Sequence, residues 1–420
     1  MKNFIKAVIK WVFLCLIYKV IVFCYTRVIF YFWVFYAPFH NWKNLQRIKK
    51  KEIITVLFLP ANLAMWKYDY LFELMQKHPR FNPVILISLP LGISQAEREK
   101  MRIDLVNHFN EKGFPMVENK DMNPDLVFIT QGYGKFSDFW MGDFPNSLGC
   151  YAPYSYATSC ISNTMNLLEL NKVWRYFEIT KTQAQNVAPL MSNRGRNVYI
   201  TGYANADYFL DSNKKFTFPW KESDSKKKKI IYAPHWGISS SALLKYSTFM
   251  KTGELMLSLA KKYADKTQWV FKPHPWLYRE LCKFWGEAKA NAYYDAWKNL
   301  PNATCEFGSY IDLFMTSDAM IHDSSSFRSE YFYTQKPVMH LVIGDPTGTD
   351  GEIGKIAFNT HYHGHNAKEI EAFIIDVVLG GNDPKARERK EFYDKYLLPP
   401  NGKTAAQNIL DEIERGLGWK

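Results

Sequence analysis

From residue 52 onward, short apolar runs alternate with longer stretches in which apolar positions return every three or four residues. The runs "EIITVLFLP" (52–60), "NPVILISLP" (82–90), "PDLVFIT" (124–130) and "RNVYIT" (196–201) predict buried strands. Between them, "DYLFELMQKH" (69–78) and "SQAEREKMRIDLVNHFNEKG" (94–113) predict helices. A lysine-rich stretch without periodicity, 211–229, reads as a solvated linker. The alternation then restarts, with strands at 230–234, 267–275, 317–322 and 337–343. Helical periodicity covers 241–264, 277–300, 325–334, 367–380 and 404–418. Strands alternating with helices build parallel sheets covered on both faces. The pattern therefore predicts an α/β chain of two doubly wound, Rossmann-type domains, 49–215 and 216–420, with a cleft between them.

Ahead of this body the pattern changes. Residues 11–39 are almost continuously apolar and dense in aromatic side chains, but Lys19 and Arg27 interrupt them. No 18-residue window inside is free of charge, as a simple spanning helix would prefer. No small-residue cleavage site follows, which speaks against a secretory signal. The segment 1–48 is therefore expected to be a membrane-associated helix, interfacial or re-entrant rather than spanning. Lys49, Lys50 and Lys51 would meet anionic headgroups at about 1 kcal/mol per charge, placing the chain on the cytoplasmic face of the cell membrane.

Charge alters this picture in one respect. The net charge of +12 invites a nucleic-acid partner, yet residues 1–51 hold ten Lys/Arg and no acid, leaving 43 basic against 41 acidic groups elsewhere. A nucleic-acid-binding body would carry the charge itself, so no nucleic acid is expected. Six scattered cysteines without a C-x-x-C pair fit a reducing compartment.

Ligands of doubly wound sheets sit beyond the carboxyl ends of the strands. In the second half those ends deliver His235-Trp236, Lys272-Pro273-His274-Pro275 and His322-Asp323-Ser324-Ser325-Ser326. Three histidines at equivalent strand ends, with a lysine and a hydroxyl cluster, point to a shared phosphate-handling site. The stretch "IHDSSSF" (321–327) also has a plain reading as a helix N-cap. As a cradle, its hydroxyls and first-turn amides would hold a phosphate. Glu330, on the helix that follows, could accept bonds from ribose hydroxyls or be an exposed helix charge. "HYHGH" (361–365) could bind a metal, touch acceptor phosphate or be structural. "GDPTGTDGEIG" (344–354) lacks the alternating acids of a calcium loop and reads as a turn. Trp236 and Trp276 could stack on a base or pack in the core. No cofactor and no metal is expected.

Taken in order, "TGYANAD" (201–207), "YAPHW" (232–236), "KPHP" (272–275), "SDAMIHDSSSFRSEY" (317–331), "KPVMHL" (336–341) and "NGKTAAQNILDEI" (401–413) resemble the bacterial CDP-glycerol glycerophosphotransferase family. That family builds the poly(glycerol phosphate) chains of teichoic acids and related capsules. The resemblance, from about residue 120 to the C-terminus, implies a GT-B architecture and a nucleotide-diphosphate donor such as CDP-glycerol. It also implies a lipid-linked or polymer acceptor at the inner membrane surface. On these residues, Ser324, Ser325 and Ser326 with Asp323 and Lys272 would hold the diphosphate, and His274 with Lys272 would offset charge on the leaving side. The family commonly carries a Trp-His-Gly segment in its first domain, where this chain has "CYAPYSY" (150–156), so His235 is the expected general base. Asp323 could orient His322 or His274, or cap the helix. Two alternatives stand beside it: a GT-B glycosyltransferase using a nucleotide sugar, which shares the fold and diphosphate site, and, of another class, a catalytically inactive membrane-bound assembly partner.

Overall fold

The computed structural model describes residues 2–221, 226–238, 247–345 and 347–419, and for 2–23, 162 and 163 the backbone alone. Twelve strands form two six-stranded sheets among these residues. In the first half they are β1 (Ile54–Leu59), β2 (Phe81–Ile85), β3 (Leu126–Ile129), β4 (Leu148–Tyr151), β5 (Arg175–Glu178) and β6 (Val198–Ile200). In the second they are β7 (Lys228–Ala233), β8 (Thr267–Phe271), β9 (Ala303–Cys305), β10 (Ala319–His322), β11 (Val338–Leu341) and β12 (Tyr362–Gly364). The orders are β2-β1-β3-β4-β5-β6 and β12-β11-β10-β7-β8-β9, and every pairing is parallel. The architecture is thus two parallel-sheet, Rossmann-like halves, each a near-continuous apolar run per strand because both faces are covered.

Strands β4, β5, β9 and β12 escape the sequence pattern. They are only three or four residues long, β4 contains Gly149, and β5 ends on the buried acid Glu178. The single helix expected over 277–300 is two, Leu277–Trp285 and Glu287–Asn299, broken at Gly286 with φ +79°. A side chain there would be strained in the left-handed region, so the glycine sets the corner. The first turns of the helix expected over 241–264 (241–246) lie outside the described residues, as do 222–225 of the linker; the helix is seen as Phe249–Lys262.

The last helix, Ala405–Leu417, crosses back to the first half. Its Ala406, Ile409, Leu410, Ile413 and Leu417 join the core formed around β1, β2 and β3. Its N-terminus is capped by Thr404, and the Asp207 carboxylate accepts the Ala405 and Ala406 N–H groups at 2.8 Å each. Asn408 donates to the Thr201 carbonyl. Two of the segments that carry the family resemblance, 201–207 and 401–413, are therefore each other's partners at the crossing.

The N-terminal helix Lys2–Ile48 is 47 residues long and contains Pro38. Among the described residues, no helix is long and apolar enough to cross a membrane. Its last turns dock on the body: Ile48 is fully buried, and Asn44 donates to the carbonyls of Pro145 and Ser147. Arg47 and Lys51 both pair with buried Asp125, at 3.1 and 2.8 Å. Lys51, expected at headgroups, is thus committed to the protein, and of the lysine triplet only Lys49 and Lys50 are exposed.

Candidate active site

In the second sheet the strand order reverses between β7 and β10, so the loops leaving these two strands flank the switch point. His235 follows β7, Asp323 follows β10, and the site is assembled from these loops and the one after β8. Asp323 is fully buried and binds the loops together. One carboxylate oxygen accepts the His235 N–H, and the other accepts the Thr248 N–H and, at 3.0 Å, its hydroxyl. Three donors converge on it, so the ionised form is the one that fits. Burial still pushes its pKa up to about 6. Asp323 orients neither His322 nor His274; it fixes the His235 loop and the start of the helix Phe249–Lys262.

The three strand-end histidines share one device. The Nδ1 of His235 accepts the Gly237 N–H, that of His274 the Trp276 N–H, and that of His322 the Ser324 N–H, each at 3.1 Å. A ring nitrogen that accepts an N–H carries no proton, so in the neutral ring the proton sits on Nε2. His235 and His274, with ring centroids 5.4 Å apart, are thereby held as Nε2–H donors. Burial keeps them neutral. It lowers His235 to about 3, helped by repulsion from His274, and lowers His274 to about 4, helped by Lys272. This tautomer makes His235 a hydrogen-bond donor rather than the proton acceptor that a general base requires.

Lys272 is 7 % exposed and donates to the Gly308 carbonyl at 2.8 Å. No carboxylate lies within ion-pair distance of it among the described residues, and burial lowers its pKa to about 8 against a raising contribution from Glu306. A buried ammonium without a carboxylate is costly and calls for an anion. The serine turn supplies matching donors. Its Ser324 amide is taken by His322, but the amides of Ser325, Ser326 and Phe327 donate to no acceptor among the described residues. No serine side chain caps the helix Phe327–Glu330, and Ser326 at the N-cap position has helical backbone angles. The plain capping role expected for these hydroxyls is therefore absent from the described contacts.

Ser325 faces the first half, its hydroxyl 3.2 Å from that of Thr158. Thr158 donates in turn to Asp350, whose carboxylate is ion-paired with fully buried Arg328. Backbone bonds from Cys160 to Thr349 and from Gly351 to Thr158 close the seam. Glu330 belongs to this seam too. It accepts from the Tyr156 N–H at 3.2 Å, the Tyr203 hydroxyl at 3.1 Å and the Tyr310 hydroxyl. It is neither an exposed helix charge nor open to a ribose in this arrangement. Burial raises its pKa, opposed by the buried Lys67 of the first half. Thr158, Asp350, Arg328 and Lys67 were not singled out by the sequence; they lie far apart along the chain, and only the seam unites them.

The histidines of 361–365 diverge. His361 is buried against His322, His363 stacks on Phe358, and His365 pairs with Glu369 in solvent. Among the described residues, no group of three His, Cys, Asp or Glu could hold a metal ion. Asp350, inside the segment read as a plain turn, is the partner of Arg328. Trp236 and Trp276 pack edge-to-face at 5.2 Å beside His274, with Trp276 half exposed.

A family model described as CDP-glycerol:poly(glycerophosphate) glycerophosphotransferase matches residues 119–415. Among solved structures, the wall teichoic acid polymerase TagF matches with a TM-score of 0.58 at 15% identity, covering 92% of this chain and 98% of that one. A variant of that polymerase soaked with CDPG matches at 0.53 and 14%, with coverage of 92% and 98%. The UDP-GlcNAc 2-epimerase of Neisseria meningitidis bound to UDP-GlcNAc matches at 0.53 and 15%, covering 86% and 99%. At such identities the likeness is one of fold, the GT-B arrangement of two Rossmann-like halves. No curated protein matches the chain.

Proposed function

The chain belongs to the CDP-glycerol:poly(glycerophosphate) glycerophosphotransferase family and is an enzyme of that kind, and on this premise we propose what it transfers and where. An acceptor hydroxyl, lipid-linked or on a growing teichoic-acid-like or capsular polymer, attacks the glycerol-bearing phosphorus of CDP-glycerol. The new P–O bond replaces the one to CMP, CMP leaves, and the hydroxyl proton is lost. Phosphoryl transfer asks a protein chiefly for positioning and for stabilisation of charge on the phosphoryl oxygens. The observation that carries this reading is buried Lys272 at the end of β8, with no carboxylate in ion-pair distance among the described residues, together with the turn after β10, whose Ser325, Ser326 and Phe327 amides find no acceptor among them. His235 and His274 add Nε2–H donors to the same site. An incoming phosphate oxygen would replace Thr158 as the partner of the Ser325 hydroxyl.

The test is thermal shift of the purified chain with CMP, CDP-glycerol, CDP-ribitol, UMP and UDP-sugars. Stabilisation by cytidine ligands is the expected result. A response confined to uridine ligands would move the chain to the nucleotide-sugar reading.

The same site sets a pH dependence. Above about 6 Asp323 is ionised and can accept its three bonds; above about 8 Lys272 loses its charge. The free enzyme should therefore show a bell-shaped kcat/KM profile with limbs near these two values. Lys272→Arg should abolish the alkaline limb, since a guanidinium stays charged. An acid limb near the ordinary histidine value, retained in Asp323→Asn, would contradict this assignment.

We further propose that the chain works at the cytoplasmic face of the membrane. Tyr25, Val28, Phe32, Phe35, Phe39 and Trp42 recur at alternating steps of three and four and are all exposed, Phe35 to 80%. This spacing puts them on one face of the helix, and no acidic residue precedes Glu52. An interfacial helix of this kind buries its aromatic face in the headgroup region. Phe35→Asp with Trp42→Asp should lower binding to anionic liposomes by about 100-fold or more, as each buried large side chain contributes roughly 1.5–3 kcal/mol. Unchanged sedimentation with the liposomes would refute the anchor.

A further inference from the structure

The Ser324 amide, which orients the serine turn, is held from behind by two fully buried histidines. His322 Nδ1 accepts the Ser324 N–H at 3.1 Å. The two Nε2 atoms of His322 and His361 lie 3.2 Å apart, and His361 Nδ1 lies 2.7 Å from the Ala357 carbonyl. A carbonyl only accepts, so the proton of His361 is on Nδ1 and its Nε2 is a lone pair. His322 must then carry its proton on Nε2, which leaves Nδ1 free to accept from Ser324. The bonds assign both tautomers without ambiguity, and two neutral rings satisfy every link.

Charge is kept off this chain of bonds by its surroundings. Burial is the main cause of the lowered pKa of both rings, and the Arg328 guanidinium adds to it. The third buried histidine, His340, lies edge-on with its centroid 5.0 Å from His322 and 6.0 Å from His361. Both of its ring nitrogens lack a hydrogen-bond partner among the described residues, so it draws no proton out of the relay.

We propose that His361 is a positioning residue for the donor diphosphate, acting through His322 to set the Ser324 peptide. By fixing that peptide plane, it aims the amides of Ser325, Ser326 and Phe327, which find no acceptor among the described residues. The relay joins three elements that the chain brings together late: the end of β10, the end of the helix Glu352–Thr360 and the start of β12. The inference rests on the donor-site reading above, so the test separates the two.

Binding of CDP-glycerol to the full chain is measured for wild type, His361→Phe, His361→Gln and Lys272→Ala. His361→Phe keeps the ring volume and removes both nitrogens; its Kd is expected to rise about tenfold, the loss of one well-placed hydrogen bond. His361→Gln places an acceptor where Nε2 stood, and its Kd should return to within about threefold of wild type, since the Ala357 bond is the lesser link. Wild-type affinity in a folded His361→Phe, with weakened binding in Lys272→Ala, would overturn the relay alone. Wild-type affinity in both would overturn the donor site itself. Should His361→Phe fail to fold, ¹⁵N imidazole spectra of the wild-type chain decide: Nε2–H on His322 and Nδ1–H on His361 are expected, and either opposite tautomer overturns the proposal.

Discussion

Replacing His274 by alanine is expected to slow transfer from CDP-glycerol by ~10²–10³-fold, the usual consequence of removing one preorganised donor to developing charge. The Trp276 N–H occupies Nδ1, so Nε2–H is fixed before any ligand arrives and no reorientation is needed during reaction. The ring stays neutral because it is buried beside Lys272, which lowers its pKa to about 4. It therefore donates at every pH at which the protein is used. His274→Gln offers an N–H near the position of Nε2 but cannot take up a proton at neutral pH. Partial recovery in the Gln variant would identify donation as the role, whereas equal loss in both variants would point to proton transfer. Turnover near that of wild type in His274→Ala would remove His274 from the site.

The second large effect is on stability. Asp350→Ala should cost about 3–5 kcal/mol, because it leaves the Arg328 guanidinium buried without its carboxylate. Both side chains are wholly inaccessible to solvent, so water cannot take the place of the lost partner. Asp350 also accepts from Thr158, so its loss loosens the seam where Ser325 meets the first half. The check is a chemical denaturation midpoint, with Arg328→Met together with Asp350→Leu as the control. Replacing both charges by apolar groups removes the desolvation cost on each side, and the double variant should recover much of the loss. A single Asp350→Ala variant as stable as the wild type would mean that the pair contributes nothing.

Periodicity in the sequence carried the architecture because most strands of these sheets are buried on both faces. The four strands it missed are too short for a period to register, and Glu178 in β5 is a buried acid that no hydrophobic pattern announces. For the site, strand-end position singled out the loops after β7, β8 and β10, which carry His235, His274 and Asp323. What it could not supply was direction. His235 and His274 look alike on paper as acids or bases, and only the N–H two residues further on fixes their tautomer. Glu330 sits where a ribose ligand would be looked for, but its environment comes from Tyr156, Tyr203 and Tyr310, each from a different stretch of chain. His361 shares a short histidine-rich segment with two residues of unrelated surroundings, and its contact with His322 spans 39 positions. Such pairings are tertiary, and a single sequence carries no signal for them.

The helix Ala405–Leu417 has a consequence for how the molecule is made. Ile409, Leu410, Ile413 and Leu417 are part of the first core, and Asp207 waits for the amides of Ala405 and Ala406. Chains ordinarily let their N-terminal domain fold first as it leaves the ribosome. Here one face of that domain is completed only once the helix Ala405–Leu417 has been synthesised. The second half, whose core needs nothing from the last helix, can close ahead of the first. During translation the first core is thus the later of the two to mature, and an interruption before Ala405 would leave it unfinished.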